Sequence, residues 1–176
     1  YLSGIRPLER SPAQLARLGI THILCCVDQI HVVRAQKEIV QKNPKIVIMS
    51  LPYRDEEFQS LWADSTNIAL TKMTRTPEDV AALRQTLAFY RNMPLIEAGY
   101  HFIDQALENG GRVLIHCMAG ISRSSSVLIY YLMRKNNESF TGAVRLVRSF
   151  RSIVAPNRSF QLQLINYEIG RASCRE

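Results

Sequence analysis

Three short, almost wholly apolar runs constrain this chain most: Thr21-His22-Ile23-Leu24-Cys25-Cys26-Val27, Lys45-Ile46-Val47-Ile48-Met49 and Arg112-Val113-Leu114-Ile115-His116. Runs of this length without polar alternation read as strands covered on both faces. Helical patterns separate them. A helix is expected from about Ile30 to Gln41, ended by Asn43-Pro44. Thr76-Pro77-Glu78-Asp79 opens another, with Val80, Leu83, Leu87 and Tyr90 as its apolar stripe. A third runs from about Pro94 to Leu107 and halts at Asn109-Gly110-Gly111. Further helices are expected near Ser11-Pro12 and over Ser124–Lys135, Phe140–Phe150 and Ser159–Ile169. Strands alternating with helices predict an α/β fold: a central, mostly parallel sheet flanked by helices on both faces.

The chain's 176 residues suit one domain, expected over 1–170 with a polar tail at 171–176. A hydrophobic share of 47% and a charged share of 21% exclude a disordered chain. No apolar run approaches the roughly 18 residues of a membrane span, and no signal-peptide pattern opens the sequence. The expected location is therefore cytoplasmic, with the nucleus second. Cysteines stand at 25, 26, 117 and 174 without a CxxC pair, and His22, His31, His101 and His116 show no metal-ligand spacing. That pattern predicts no metal, no cofactor and a reducing compartment. Asn137-Glu138-Ser139 and Asn157-Arg158-Ser159 match glycosylation sequons but read as coincidences in such a chain.

The net charge is +7, from 22 Lys and Arg against 15 Asp and Glu. It is concentrated between 134 and 158, where Arg134, Lys135, Arg145, Arg148, Arg151 and Arg158 face the single acid Glu138. The run reads either as a solvated helical face or as a docking surface for phosphate-bearing or acidic partners. Arg151 and Arg158 are the candidates for a second phosphate or an acidic flank.

Chemistry concentrates where the third strand meets its helix. The loop Cys117-Met118-Ala119-Gly120-Ile121-Ser122-Arg123 opens with a thiol and closes with a guanidinium at a helix start. Backbone N–H groups of such a loop converge with the helix N-terminus into an oxyanion cradle. Gly120 permits the tight turn, and Arg123 can hold two phosphate oxygens as a fork. A cysteine at its mouth is expected as a thiolate, placed for in-line attack on a held phosphoryl group. Ser124 can stabilise that thiolate when it leaves, and His116 can fix the loop through backbone hydrogen bonds.

The string His116-Cys117-Met118-Ala119-Gly120-Ile121-Ser122-Arg123-Ser124 resembles the signature of the cysteine-dependent protein tyrosine phosphatases, in their dual-specificity, VH1-like branch. Tyr1-Leu2-Ser3-Gly4, Gly19-Ile20-Thr21-His22-Ile23-Leu24, Phe102-Ile103-Asp104-Gln105-Ala106-Leu107 and Ala155-Pro156-Asn157 are similar to segments of the same family. The resemblance implies a metal-independent phosphomonoesterase acting on phosphotyrosine and phosphoserine/threonine in proteins, through a phosphocysteine on Cys117. RNA 5′-triphosphates and phosphoinositides are the alternative substrates, and a phospho-binding pseudophosphatase the alternative without catalysis. The family's general acid is an Asp on a loop after the preceding strand, which here implies Asp55 in Leu51-Pro52-Tyr53-Arg54-Asp55; a simple helix cap is the competing reading. Asn157 matches a position that braces the phosphate loop, with a turn residue as its competing role.

The chain departs from the family in one respect. The interval between Asp55 and Cys117 is markedly longer than in relatives, so residues 59–93 read as a helical insertion. Asp64 is therefore a rival acid and Asp79 a weaker one. Trp62 reads as shaping substrate entry or as core. Cys25 and Cys26 read as core, with an oxidative disulfide to Cys117 as the lesser alternative.

Overall fold

The structure is a computed structural model that describes residues 1–6, 8, 12–28 and 32–173. Its sheet contains β1 (Leu2–Ser3), β2 (His22–Cys25), β3 (Val47–Ser50), β4 (Ala69–Thr71) and β5 (Val113–His116), in the order β1-β5-β2-β3-β4. β5 pairs in parallel with β1 and β2, and β2 with β3; β4 joins β3 antiparallel. All four residues of β5 are buried, as an unbroken apolar run between two covering layers requires. In register, Cys25 lies opposite both His116 and Ser50. The carboxyl ends of the three central strands are thus level, and the chain leaves them at Cys26, Leu51 and Cys117 along one rim. Ligands of parallel α/β sheets bind outside that rim.

The described helices are α1 (Pro12–Arg17), α2 (Val33–Lys42), α3 (Pro77–Arg91), α4 (Leu95–Glu108), α5 (Arg123–Lys135), α6 (Phe140–Phe150) and α7 (Arg158–Ser173). The mostly parallel α/β architecture is the one the strand and helix alternation predicts. The expected starts at Ser11 and Ile30 lie outside the described residues, as do His31 and Cys174.

Two expectations change. The segment 59–93 is helical only over Pro77–Arg91; before that it supplies β4 and irregular loops. Leu61 and Ile68 sink fully into the core, and the Trp62 ring packs edge-on to Tyr130 at 5.7 Å and beside Tyr167 at 6.0 Å. Trp62 is therefore an anchor of this segment. α3 starts at a capping box, Thr76 Oγ1 accepting from Asp79 N and Asp79 Oδ2 from Thr76 N, both at 3.1 Å. Burial along α3 is confined to Tyr90. Of the expected polar tail at 171–176, residues 171–173 belong to the last turn of α7, where Arg171 donates to the carbonyls of Met133 and Glu138, and 174–176 lie outside the described residues.

Candidate active site

The loop from Cys117 to Ser122 closes on the N-terminus of α5, and an accounting of its carbonyls explains its shape. His116 Nδ1 lies 3.3 Å from Cys117 O; a carbonyl only accepts, so this nitrogen carries the proton. Ile5 N donates to Met118 O at 3.0 Å. Arg151 donates Nη2 to Ala119 O and Nε to Gly120 O, each at 3.0 Å. Ala155 N donates to Ile121 O at 3.0 Å, and the Ser125 and Ser126 hydroxyls hold Ser122 O at 2.8 Å. Every carbonyl is tied on the outside of the loop. The N–H groups consequently face inward, and those of Met118, Ala119, Ile121 and Ser122 have no partner among the described residues. An anion at the centre would satisfy them.

Gly120 sits at φ +69°, and a Cβ there would lie 2.5 Å from both C and O of Ser3. Only glycine fits at that turn. β1 therefore presses against the back of the loop while it pairs with β5.

Cys117 is almost fully buried. Gly120 N and Ser124 Oγ each donate to its Sγ at 3.2 Å. Burial works against the charged form. The hydrogen bonds from Ser124 and Gly120, together with the Arg123 guanidinium, outweigh it and hold the thiol below its ordinary value. The neighbouring thiols behave oppositely: burial pushes Cys25 up to about 12 and Cys26 well up, with the charge on Cys117 adding to both. The three described cysteines are free. Burial drives His116 down to about 4, so the ring is neutral around pH 7.

Asp55 lies beside this loop. No helix follows it for the carboxylate to cap: Phe58 is 98% exposed, and the chain from Leu51 to Ile68 is irregular. Its Oδ1 accepts from Ser122 Oγ at 2.7 Å and from Asn157 Nδ2 at 3.0 Å, while Oδ2 lies 3.9 Å from Arg123 Nε. That Nε is buried without a hydrogen-bond acceptor, and Nη1 reaches Tyr53 O at 3.4 Å. Asn157 also caps α7, taking Phe160 N on Oδ1 at 2.8 Å, and its own N donates to Ser122 Oγ at 3.0 Å. The other acids serve turns. Asp64 Oδ1 accepts from Thr66 N at 2.6 Å, and Asp79 closes the α3 cap; hydrogen bonds hold both carboxyls below their usual range.

The basic run is not one surface. Arg134 pairs with Glu97 and stacks on Tyr100 at 4.1 Å, and Lys135 pairs with Asp104 at 2.7 Å. Arg148 donates to Val154 O at 2.8 Å, whereas Arg158 is exposed at the start of α7. The bracing by Arg151, Ala155 and Ile5 has no sequence signal beyond a charge count and the Tyr1-Leu2-Ser3-Gly4 and Ala155-Pro156-Asn157 segments. No metal-binding cluster of His, Cys, Asp and Glu occurs among the described residues, nor does a helix long and apolar enough to cross a membrane.

The family model described as the dual specificity phosphatase catalytic domain matches residues 90–169. A protein of Acanthamoeba polyphaga mimivirus named as tyrosine-protein phosphatase R622 is 47% identical over 169 residues, covering 96% of this chain and 80% of its own. That coverage leaves no room for the segment 59–93 to fall outside the alignment. Dual specificity protein phosphatase 1B of Arabidopsis thaliana is 48% identical over 69 residues, covering 39% of this chain and 41% of its own. Among solved structures, human DUSP28 has a TM-score of 0.65 at 24% identity, covering 99% of this chain and 94% of its own. A human tyrosine phosphatase-like serine/threonine/tyrosine-interacting protein has a TM-score of 0.67 at 24% identity, with 97% and 91% covered. These two structures speak to the fold alone. The fold, the Cys117–Arg123 loop and the mimivirus relative aligned over 96% of the chain agree: the chain belongs to the dual-specificity phosphatase family of cysteine-dependent protein tyrosine phosphatases.

Proposed function

We propose that the protein hydrolyses phosphotyrosine and phosphoserine/threonine in protein substrates through a phosphocysteine on Cys117. The observation that carries this reading is the convergence of Gly120 N and Ser124 Oγ on the Cys117 sulfur, with Asp55 held over the same loop.

A phosphate monoester entering the cradle places its non-bridging oxygens against the inward N–H groups of Met118, Ala119, Ile121 and Ser122 and against the buried Arg123 Nε. Charge spreading over those oxygens in the transition state meets donors already fixed in place. Cys117 Sγ attacks phosphorus in line with the leaving oxygen. Asp55 Oδ1 already accepts two hydrogen bonds, so Oδ2 is the oxygen that delivers the proton to the leaving group. The same Oδ2, now unprotonated, takes a proton from the water that attacks the phosphocysteine. Ser124 Oγ donates to the sulfur as it departs with its negative charge. Neutral His116 contributes no charge and holds Cys117 O.

Exposed Arg158 is the residue proposed to dock a second phosphate or an acidic flank. The three free, buried cysteines suit a reducing compartment such as the cytoplasm. The test is a profile of the wild type, with chelator present, on phosphotyrosyl and phosphothreonyl peptides, a 5′-triphosphorylated oligonucleotide and a phosphoinositide. Higher kcat/KM on the peptides supports the proposal. Higher kcat/KM on the oligonucleotide or the lipid overturns the substrate class, and binding without turnover overturns hydrolysis.

A further inference from the structure

We infer that Arg151 is a positioning residue of the phosphate loop, locking the Ala119–Gly120 peptide in the orientation that aims its N–H at Cys117. The inference deepens the reading above. It rests on one peptide unit with both ends engaged. The carbonyl of Ala119 and the N–H of Gly120 belong to the same plane, so fixing one fixes the other. Arg151 Nη2 holds the carbonyl from outside the loop at 3.0 Å, and the N–H at the other end donates to Cys117 Sγ at 3.2 Å. Arg151 Nε takes the next carbonyl, Gly120 O, at 3.0 Å, so the guanidinium grips two successive peptides in its fixed fork geometry.

Such a grip is needed at this position. Gly120 lacks a side chain and stands at φ +69°, where a peptide can rotate about its flanking bonds at little steric cost. Rotation would turn the Ala119 carbonyl oxygen toward the sulfur, replacing a donor to the thiolate by a second negative end. Arg151 opposes that rotation from the side away from substrate. Its positive charge at the carbonyl end also polarises the peptide, strengthening the N–H as a donor. Arg151 leaves α6 at its carboxyl end, so the last turn of that helix is mechanically continuous with the nucleophile. This arrangement also removes Arg151 from the candidates for a second phosphate, because two of its three nitrogens are committed to the loop.

The experiment compares wild type, Arg151→Ala, Arg151→Lys and Arg145→Ala. Arg145 is an exposed arginine of α6, so its variant removes the same charge without touching the loop. Two readouts are taken: the pH profile of Cys117 alkylation by iodoacetamide, mapped by peptide mass, and kcat and KM on an aryl phosphate. Arg151→Ala is expected to move the alkylation midpoint to higher pH and to lower kcat/KM about 10- to 100-fold, the scale of a misplaced catalytic group. Arg151→Lys should recover part of both, and Arg145→Ala should match wild type. An Arg151→Ala protein that melts with wild type and keeps both the alkylation profile and kcat/KM within twofold overturns the inference. If Arg151→Ala does not fold, Arg151→Lys carries the same test, since its single ammonium lacks the planar fork that meets both carbonyls in fixed geometry. The alkylation readout requires no turnover. A wild type that is inert on the ester therefore refutes the hydrolase reading and leaves the Arg151 test intact.

Discussion

Adding a single methyl group at Gly120 should disable both fold and site, and the size of the effect follows from what the methyl would meet. Alanine at φ +69° forfeits the conformational freedom glycine has there, at a cost of about 1–2 kcal/mol. Its Cβ would lie 2.5 Å from C and O of Ser3 and 2.7 Å from Gly4 N. All three are backbone atoms, so no rotamer change relieves the clash. β1 must move, and with it go hydrogen bonds from Tyr1 N to Val113 O, Ile115 N to Tyr1 O and Ile5 N to Met118 O. At about 1 kcal/mol each these bring the loss to about 4–5 kcal/mol, which for a chain of this length is a fall of about 10–15 °C in melting temperature. Turnover should fall at least about 100-fold, since the displaced turn carries the N–H that points at the sulfur. Gly110→Ala is the control: its φ is +71°, yet nothing lies within 4 Å of its Cβ. It should lose only the conformational part, about 2–8 °C, and no activity. Thermal melts and aryl phosphate assays of the two variants decide the matter. A Gly120→Ala protein that melts within 1 °C of wild type and turns over normally would refute the close packing of β1 on the loop.

Other consequences are as specific. Asp55→Asn should lower kcat about 10²- to 10⁴-fold, whereas Asp64→Asn should leave it unchanged, because Asp64 serves only a turn; steady-state rates check both. Asn157→Ala removes a donor to Asp55 and the α7 cap together, so kcat should fall while stability drops by about 1 kcal/mol, read by denaturant titration. His116 titrates near 6.5 when unfolded and at about 4 in the fold. Its contribution to stability is full above pH 6.5 and disappears as pH falls toward 4, a change of about 2–4 kcal/mol. Denaturant midpoints of wild type should therefore fall more steeply across that window than those of His116→Gln, and equal slopes would contradict the buried neutral ring. Cys25 and Cys26, with thiols pushed up by burial, should resist alkylation at pH 7.5 while Cys117 reacts; modification of either in the folded protein, seen by peptide mapping, would contradict their core placement.

The sequence made some of these features legible and hid others for physical reasons. β2, β3 and β5 announce themselves because a doubly covered strand must be apolar throughout, and α3 because Thr76 and Asp79 are the two halves of a capping box. β1 and β4, two and three residues long, show no such pattern: each exists because a neighbouring strand presents an open edge. Of the helical insertion expected over 59–93, the part before Pro77 is not helix, since Leu61 and Trp62 are drawn into the core and the chain follows them. In the site, Cys117, Gly120 and Arg123 are visible in the chemistry of their spacing. Asp55 stands first on the resemblance alone, with Asp64 and Asp79 as rivals, because a carboxylate beside a loop and one capping a turn look alike in sequence. In the sequence Arg151 reads as a candidate for a second phosphate or an acidic flank; only the direction of two carbonyls reveals what it holds.

The most direct measurement is turnover of an aryl phosphate, with chelator present, by wild type, Cys117→Ser and Asp55→Asn. The expected result is measurable hydrolysis by wild type, none above background by Cys117→Ser, and a rate reduced at least about 100-fold by Asp55→Asn. Undiminished turnover by Cys117→Ser would contradict the phosphocysteine route outright.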